Sequence, residues 1–332
     1  MQGCMISVSV GAAGYITAQG RSSLDDPIGF VLIGAVDCSL HDSGDSRVAY
    51  TVSVTQTGEG NFQTIQAAID SIPEKVTIPL DKPCILLEGD GRRWTAITWD
   101  DHDQTNSSAT FTSYPDNFVA RDITFMNTYN HKAIIINDNS RTPAVSARIY
   151  GDKSSFHNCA FIGLQDTLWD ATGRHYFNSC YIEGAVDFIF GSGQSIYENC
   201  EINVTAALLE PYVRGYITAQ GRNSEDDPSG FVFRLGIIHG SGQAYLGRAY
   251  GAYSRVIFYG TTLSGVVASE GWDAWHYSGH EGNVLYAEAS CNGAGANISQ
   301  RVEWEKQLNL SELTELTSLS FIDQDGWLAK QP

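Results

Sequence analysis

The stretch Ser154–Val204, SSFHNCAFIGLQDTLWDATGRHYFNSCYIEGAVDFIFGSGQSIYENCEINV, repeats one phrase three times. Each copy places an aromatic residue and then Asn or Ser before a cysteine, and these cysteines, Cys159, Cys180 and Cys200, are 21 and 20 residues apart. A period of about 20 residues is typical of a parallel β-helix, whose coils stack on one another, with equivalent residues ~4.8 Å apart. The alternative is three unrelated buried cysteines, but the matching neighbours favour stacked coils.

The rest of the chain also has an all-β pattern. Short segments rich in Val, Ile, Phe and Tyr are separated by Gly, Asn and Asp turns. This pattern predicts a sandwich or a solenoid, and the period favours the solenoid. Near the N-terminus, Tyr50–Val54 alternates like a strand. The apolar residues from Phe62 to Ile72 recur at helical spacing before Pro73, which predicts a short amphipathic helix capping the solenoid.

The composition limits the partners of the protein. The 332 residues carry a net charge of −18, and only 17% of them are charged. This balance argues against nucleic acid and against an anionic membrane surface, because both are bound by clustered Lys and Arg. The sequence has no apolar run of 18 residues, so no membrane-spanning helix is expected. A neutral polymer suits such a protein better than a fully ionised polyanion.

Sequons and cysteines bear on the compartment. Four N-x-S/T sequons are present, at Asn106, Asn203, Asn297 and Asn309. They are mildly indicative of the secretory route, although the N-terminus lacks the basic and apolar regions of a signal peptide. The seven cysteines leave at least one unpaired. Stacked coils would bring Cys180 and Cys200 close enough for a disulfide in an oxidising compartment.

One segment occurs twice. GYITAQGRSSLDDPIGFV (Gly14–Val31) and GYITAQGRNSEDDPSGFV (Gly215–Val232) agree at 15 of 18 positions. The second copy lies among the other motifs, where Gln220 and Arg222 are expected to hold backbone and neighbouring coils. The first copy runs into a polar linker, so residues 1–47 are interpreted as a non-functional partial duplicate. We expect this unit to pack poorly or to form a stray strand on an open end of a domain spanning 48–332.

The same period selects two carboxylates. Asp166 in GLQDTLW and Asp187 in GAVDFIFG are 21 residues apart, which is one coil. Two carboxylates facing the same side of adjacent coils cannot both ionise easily, so one pKa is expected to rise and the other to fall. Such a pair supplies a general acid and a nucleophile or base. The alternative is a turn-forming Asp166 and an Asp187 in a structural ion pair, and the apolar flanks favour the functional interpretation.

The motifs GLQDTLW, GAVDFIFG, GYITAQGR, YLGRAY and GWDAWHY, in this order, resemble those of the plant pectin methylesterases, or pectinesterases. The similarity covers about residues 50–327. It implies a right-handed parallel β-helix, in agreement with the period. It also implies hydrolysis of the methyl esters of galacturonate units in pectin, in the cell wall, by a secreted monomer that needs no metal or organic cofactor. A proteinaceous pectinesterase inhibitor is a further partner that the resemblance suggests.

The resemblance also implies residue roles. Asp187 would attack the ester carbonyl, and Asp166 would donate a proton to methanol and then take one from water. Gln165 would help to hold the oxyanion. Arg248 would hydrogen-bond Asp187 and keep it ionised.

Two aromatic residues are expected to face the sugar rings, Tyr250 and Trp275, whereas Trp272 is expected in the core. Tyr250 stands where the family usually has tryptophan, which would change affinity more than mechanism.

Two departures from the family pattern qualify this expectation. Pro143 stands in TPAVSAR where many members have glutamine, a second oxyanion donor, and proline offers no donor at all. About one coil of sequence is also missing after Pro73, which would expose an unpaired strand edge and lower stability.

Two alternatives therefore stay open. One is a catalytically impaired, pectin-binding relic. The other is a pectin-cleaving glycosidase or lyase on the same fold, although the acid cluster of a Ca²⁺-dependent lyase is missing from the sequence.

Overall fold

The computed structural model describes most of the chain from Val76 onward and three strands before it. The described residues are 76–102, 104–130 and 141–332, with the backbone of β1 (Ile6–Val8), β2 (Val31–Ala35) and β3 (Val52–Val54). The amphipathic helix predicted over Phe62–Ile72 and the missing coil after Pro73 lie outside these residues. Among the described helices, none is long and apolar enough to cross a membrane.

Three long sheets contain nearly all the described strands. The first sheet has eight parallel strands: β4 (Val76–Ile78), β7 (Phe111–Ser113), β10 (Ala147–Ile149), β13 (Leu168–Asp170), β16 (Val186–Gly191), β19 (Gly215–Gln220), β22 (Ala244–Ala249) and β25 (Trp272–Asp273). The second sheet contains β2 and eight parallel strands: β5 (Ile85–Gly89), β8 (Val119–Arg121), β11 (Ser154–His157), β14 (Arg174–Asn178), β17 (Gln194–Glu198), β20 (Gly230–Arg234), β23 (Arg255–Tyr259) and β26 (Leu285–Ala289). The third sheet has seven: β6 (Ala96–Trp99), β9 (Thr124–Asn127), β12 (Ala160–Ile162), β15 (Tyr181–Gly184), β18 (Glu201–Thr205), β21 (Ile237–Ser241) and β24 (Thr262–Leu263).

Successive strands of the chain enter the three sheets in turn. From β4 to β26, each strand pairs in parallel with the strand three positions later, so that one coil contributes one strand to each sheet. Parallel crossover connections of this kind are almost always right-handed. The architecture is a right-handed parallel β-helix, which confirms the predicted fold.

The aromatic position of the repeated phrase forms a continuous stack inside the helix. Phe156 lies 4.9 Å from Phe177 between ring centroids, Phe177 lies 4.5 Å from Tyr197, and the stack continues through Phe233 to Phe258 at the same 4.5 Å spacing. All five side chains are buried. Offset stacking of this kind adds to the burial of apolar area, so each coil covers the one before it.

The residue before each cysteine of the phrase makes the corner between the second and third sheets. Asn158, Ser179 and Asn199 have φ angles of 51°, 55° and 53°. This left-handed region is unfavourable for most side chains, but short polar residues enter it more readily. Their backbone N–H groups donate to carbonyl oxygens of the next coil at 2.9 Å. The left-handed backbone at this corner therefore explains why the repeated phrase has Asn or Ser before its cysteine.

The disulfide predicted between Cys180 and Cys200 is not formed. Both residues, together with Cys159, are buried free thiols. The Cys180 Sγ donates to the carbonyl of Phe156 at 3.4 Å, and the Cys200 Sγ donates to that of Phe177 at 3.4 Å. Side chains stacked in parallel are held about one strand spacing apart, ~4.8 Å, whereas a disulfide needs Cβ atoms ~3.5–4.5 Å apart. The prediction was wrong because stacking holds the two side chains about one strand spacing apart, which is longer than the Cβ separation that a disulfide needs.

The N-terminal end of the solenoid carries an added strand. β2 pairs antiparallel with β5 at the free edge of the second sheet, from Val31↔Gly89 to Ala35↔Ile85. This strand belongs to the unit of residues 1–47 and lies where a stray strand was expected. β1 and β3 pair antiparallel with each other. The remainder of residues 1–47 lies outside the described part of the chain.

The second copy of the duplicated segment is structural, as expected. The Gln220 Oε1 accepts the backbone N–H of Arg222 at 3.1 Å and that of Arg255 at 2.9 Å, on the next coil. The Arg222 side chain donates to the carbonyl oxygens of Asp227 and Tyr253 at 2.6 and 3.0 Å. Both side chains therefore hold backbone of their own coil and of the following one.

The C-terminal segment covers the outer face of the second sheet. Helix α1 (Leu310–Thr317) begins at Asn309, whose Oδ1 accepts two N–H groups of the first turn, and Glu312 completes the capping box. Phe321, Ile322 and Trp327 then pack on a row of buried residues of the second sheet. Short 3₁₀ helices occur at Ala206–Leu208, Trp275–Tyr277, Glu281–Asn283, Ala294–Ala296, Ile298–Gln300, Leu319–Phe321 and Leu328–Lys330.

Candidate active site

The two predicted aspartates lie on adjacent coils at the first sheet. Asp166 lies two residues before β13 and donates its backbone N–H to the carbonyl of Val186 at 3.0 Å, while Asp187 belongs to β16. Both have left-handed backbones, with φ angles of 59° and 48°, and the pairing register of β16 shifts at Asp187. Strained backbone of this type clusters at functional sites. The one-coil spacing therefore brings the two carboxylates into one strained region.

Arg248 reaches Asp187 across the intervening strand. It lies on β22, and its Nε donates to Oδ1 of Asp187 at 2.8 Å while Nη2 donates to Oδ2. Such a two-bond pair fixes the orientation of a carboxylate as well as favouring its charge. The predicted contact between Arg248 and Asp187 is present in the structure.

Two aromatic rings enclose the guanidinium of Arg248. Its Cζ lies 4.3 Å from the ring centroid of Tyr216 and 4.0 Å from that of Trp275. The faces of the guanidinium are covered while its edge remains in contact with Asp187. Cation–π contacts at this distance are favourable, and the ion pair is largely shielded, with side-chain exposures of 17% for Arg248 and 10% for Asp187.

The environment of Asp166 differs from that of Asp187. Thr105 Oγ1 donates to Asp166 Oδ2 at 3.4 Å, and both Arg248 hydrogen bonds to the pair go to Asp187. Burial and then the charge of Asp187 raise the pKa of Asp166 to about 7, although the Thr105 hydrogen bond and the charge of Arg248 act in the opposite direction. Asp166 is therefore a carboxyl that can hold a proton near neutral pH.

The pKa of Asp187 is also raised, which corrects the sequence-based expectation. The residue is only 7% exposed. Burial raises the pKa above the usual range, and the hydrogen bonds and charge of Arg248 oppose that rise. We expected one pKa to rise and the other to fall. Instead, the burial of Asp187 raises its pKa more than Arg248 lowers it, so the pKa values of both carboxyls shift upward, by different amounts.

Gln165 is held by a second arginine. Arg141 Nε donates to Gln165 Oε1 at 3.1 Å, and Arg141 Nη1 is bound by Glu210 Oε2 at 3.0 Å. Because a guanidinium only donates hydrogen bonds, this contact assigns the oxygen of the Gln165 amide to the Arg141 side. The amide NH₂ is thereby left to donate elsewhere. Pro143, two residues beyond Arg141, supplies no second donor.

Aromatic side chains extend the site along the first sheet. Tyr250 is 56% exposed and its ring lies 5.6 Å from Trp275, while Trp272 is buried in the core as predicted. Trp169 and Phe190 are cross-strand partners whose rings stack at 5.3 Å. Neither ring was predicted from the sequence, although Trp169 follows Asp166 by three residues and Phe190 follows Asp187 by three.

Other residues at the site were also missed. Thr105 and Arg141 lie on connections between strands, and Asp273 lies on β25, in register with Arg248. Asp273 lies in the GWDAWHY motif and Arg141 directly precedes TPAVSAR, but nothing in these phrases indicated a role for either residue. Each can be assigned to the site only from the residue that it contacts in the folded chain.

Comparisons with known proteins agree with this geometry. The family model described as Pectinesterase matches residues 51–325. The chain is 50% identical over 299 residues to Probable pectinesterase 29 of Arabidopsis thaliana, with 85% of this chain and 89% of that protein covered. It is also 50% identical to Probable pectinesterase 55 of the same plant, with 85% and 91% covered.

A solved structure shares the fold. The pectin methylesterase from carrot has 29% sequence identity and a TM-score of 0.74, and the match covers 84% of this chain and 94% of that one. By its motifs, its coil architecture and these matches, the chain belongs to the pectinesterase family.

Proposed function

We propose that this protein hydrolyses the methyl esters of galacturonate units in pectin, producing methanol and pectate, with Asp187 as the nucleophile and Asp166 as the acid and base. The observation that carries the proposal is the carboxylate pair. Asp187 is buried and bound by two donors of Arg248. Asp166 beside it holds its proton up to a pH of about 7, its pKa being raised by burial and by the charge of Asp187.

The first half of the reaction forms an acyl-enzyme. A carboxylate oxygen of Asp187 attacks the ester carbonyl carbon, and the carbonyl π electrons move to the oxygen. The amide NH₂ of Gln165 donates to this oxyanion. As the carbonyl re-forms, the bond to the methoxy oxygen breaks and Asp166 transfers its proton to that oxygen. Methanol leaves, and the galacturonate acyl group is an anhydride on Asp187.

The second half returns the enzyme to its starting state. Asp166, now a carboxylate, takes a proton from a water molecule whose oxygen attacks the anhydride carbonyl. The new tetrahedral centre collapses, the bond to Asp187 breaks, and Asp187 leaves as a carboxylate that Arg248 stabilises. The product is a galacturonic acid, which ionises in solution. The sum is ester plus water giving acid plus methanol.

The aromatic surface suits a chain of sugar rings. Tyr250, Trp275, Trp169 and Phe190 are at least partly exposed along the first sheet. Sugar faces pack on aromatic rings because both present apolar C–H or π surface. We place the enzyme outside the cell, in the cell wall where pectin lies, acting as a monomer. A proteinaceous inhibitor that covers this groove is a further candidate partner.

A methanol-release assay on highly methylated pectin tests the proposal. We expect the wild-type chain to release methanol without shortening the polymer, and Asp187→Ala to lower the rate by at least about a thousandfold, as the loss of a nucleophile does. Asp227→Ala, which changes an aspartate in a loop away from the pair, should keep the wild-type rate.

Three results would contradict the proposal. Methanol release unchanged in Asp187→Ala would exclude this residue as the nucleophile. Pectin binding without methanol release by the wild-type chain would favour the relic, given that Pro143 supplies no donor. Shortening of the polymer would favour a glycosidase or lyase. Thermal melting by circular dichroism establishes that each variant is folded.

A further inference from the structure

Asp273 connects both of the rings that enclose Arg248. Its Oδ2 accepts the hydroxyl of Tyr216 at 3.0 Å, and its Oδ1 accepts the backbone N–H of Trp275 at 2.8 Å. Tyr216 and Trp275 lie on opposite sides of Asp273 in the sequence, 57 residues before it and two residues after it. One carboxylate therefore ties the Tyr216 side chain to the backbone of Trp275, so that the two rings are fixed relative to each other.

The Trp275 backbone needs such a partner. Its φ angle is 47°, in the left-handed region. A bulky residue is a genuine outlier there, because its Cβ crowds the backbone. The bond from the Trp275 N–H to Asp273 spans two residues, as aspartate side chains commonly do in turns. We expect the turn to relax without this bond and the indole to leave the face of Arg248.

Asp273 itself makes no hydrogen bond to Arg248 or Asp187 among the described residues. It is the cross-strand partner of Arg248 in the β22–β25 pair, so the two side chains project from the same face of the sheet. Both of its carboxylate oxygens are engaged by Tyr216 and Trp275. Asp273 therefore acts on Asp187 through Arg248, which it influences by holding the two rings and by its negative charge, since that charge favours the charged guanidinium.

We propose that Asp273 is a positioning residue for ester hydrolysis, which holds Tyr216 and Trp275 against the two faces of Arg248 and so fixes the orientation of Asp187. The inference rests on the proposed function, since it needs Asp187 as the nucleophile. A guanidinium confined between two rings can present only its edge, and the Nε and Nη2 atoms on that edge are the ones that contact Asp187. A misplacement of about 1 Å at a reacting group can slow a reaction about a hundredfold.

The test compares Asp273→Ala with a matched control. Asp227→Ala removes the same kind of bond, since Asp227 Oδ1 accepts the N–H of Ser229 at 2.8 Å in a loop away from the site. We expect Asp273→Ala to lower kcat for methanol release by about tenfold to a hundredfold, with a smaller change in KM, because alignment of the nucleophile matters in the chemical step. Asp227→Ala should keep both constants.

Conservative variants separate the hydrogen bonds from the charge. Asp273→Asn can still accept the Trp275 N–H through its oxygen and donate to the Tyr216 hydroxyl, so it should recover most of the kcat lost in Asp273→Ala. Tyr216→Phe removes one of the two bonds and keeps the ring, so its kcat should fall between those of the wild type and Asp273→Ala. If Asp273 served only to stabilise the fold, variants with equal melting temperatures would have equal kcat values.

A double-mutant cycle with Arg248→Lys shows whether the effect passes through the arginine. Lysine lacks the planar fork that the rings hold, so Asp273→Ala should change kcat little in that background. Full additivity of the two losses would overturn the inference. So would wild-type kcat in Asp273→Ala.

If Asp273→Ala does not fold, the decision rests on the milder variants. Tyr216→Phe with lower kcat and an unchanged melting temperature supports the inference, and wild-type kcat in Tyr216→Phe overturns it. Failure of the proposed function is a different outcome: a folded wild-type chain that releases no methanol overturns both. An active wild type with an inactive Asp187→Ala and an unaffected Asp273→Ala overturns this inference alone.

Discussion

Two aspartates one coil apart differ in chemistry because their neighbours differ. Asp187 has a bidentate arginine, whereas the side-chain bond to Asp166 from the described part of the chain comes from the Thr105 hydroxyl at 3.4 Å. Burial raises the pKa of both carboxyls. The arginine partly reverses this rise at Asp187, so the pair separates into one group that ionises first and another that keeps its proton. Acid and nucleophile roles follow from that order.

The pH dependence of the reaction should reflect this order. Asp166 must be protonated to release methanol, so kcat/KM is expected to fall as pH rises through about 7, the pKa to which burial and then Asp187 raise it. It should also fall at acid pH, where Asp187 becomes protonated. The acid and alkaline limbs of this pH profile have apparent pKa values that belong to the coupled pair and not to either aspartate alone. Initial rates of methanol release across pH measure both limbs.

Thr105→Val sharpens the pH test. The hydroxyl of Thr105 favours the ionised form of Asp166 and lowers its pKa, so its removal should move the alkaline limb to higher pH. The acid limb, which Asp187 dominates, should move less. An alkaline limb that stays in place, or one that moves to lower pH, would contradict the assignment of that limb to Asp166.

At the scale of the element, β16 depends on a close approach of two coils. The strand ends at Gly191, whose φ is 122°, and a Cβ there would lie 2.0 Å from the carbonyl oxygen of Asp170. A Cβ on Gly193 would lie 1.9 Å from the Asp170 carboxylate, which is bound by the Tyr197 hydroxyl at 2.6 Å and lies 2.5 Å from His175 Nδ1. The end of the nucleophile strand is thus set by glycine.

Gly191→Ala is expected to destabilise the solenoid. The substitution combines a left-handed backbone with a direct clash, for which we expect about 1–3 kcal/mol for the strain and a further loss for the clash. Melting temperature by circular dichroism measures the effect. Gly279→Ala is the matched control, because Gly279 has a φ of 86° but nothing within 4 Å of its added Cβ. Equal losses in the two variants would show that the coil contact at Gly191 is unimportant.

At the scale of the whole molecule, the charge bears on the substrate. The chain carries −18 at neutral pH, and the proposed reaction makes its polymer more anionic at each step. Repulsion between the protein and partly de-esterified pectin therefore grows as the reaction proceeds. Salt screens it, because the Debye length falls from ~30 Å at ~0.01 M to ~8 Å at ~0.15 M ionic strength.

The salt dependence of KM tests this idea. For partly de-esterified pectin, KM is expected to fall as ionic strength rises over this range, because screening reduces repulsion between like charges. For highly methylated pectin, KM should change little, which makes this substrate the control. A KM for de-esterified pectin that rises with salt would indicate that local positive charge at the site dominates over the net charge.

The coil period was sufficient to predict the fold and to place Asp166 and Asp187 on adjacent coils. Stacked coils repeat the same contacts, so Phe156, Phe177 and Tyr197 had to recur in the sequence where they recur in space. Asp166 and Asp187 follow the same rule. Period alone was not sufficient for Cys180 and Cys200, because it brings residues of successive coils near each other but keeps them about one strand spacing apart, farther than a disulfide allows.

The sequence by itself determined what repeats: the coil, its turns, the position of the carboxylate pair and the family motifs. Only the tertiary structure decided which unrepeated residues surround that pair. Thr105 meets Asp166 across 61 residues, and Tyr216 meets Asp273 across 57. The physical reason is that these contacts depend on the path of individual connections and on side-chain direction, neither of which leaves a periodic trace in the chain.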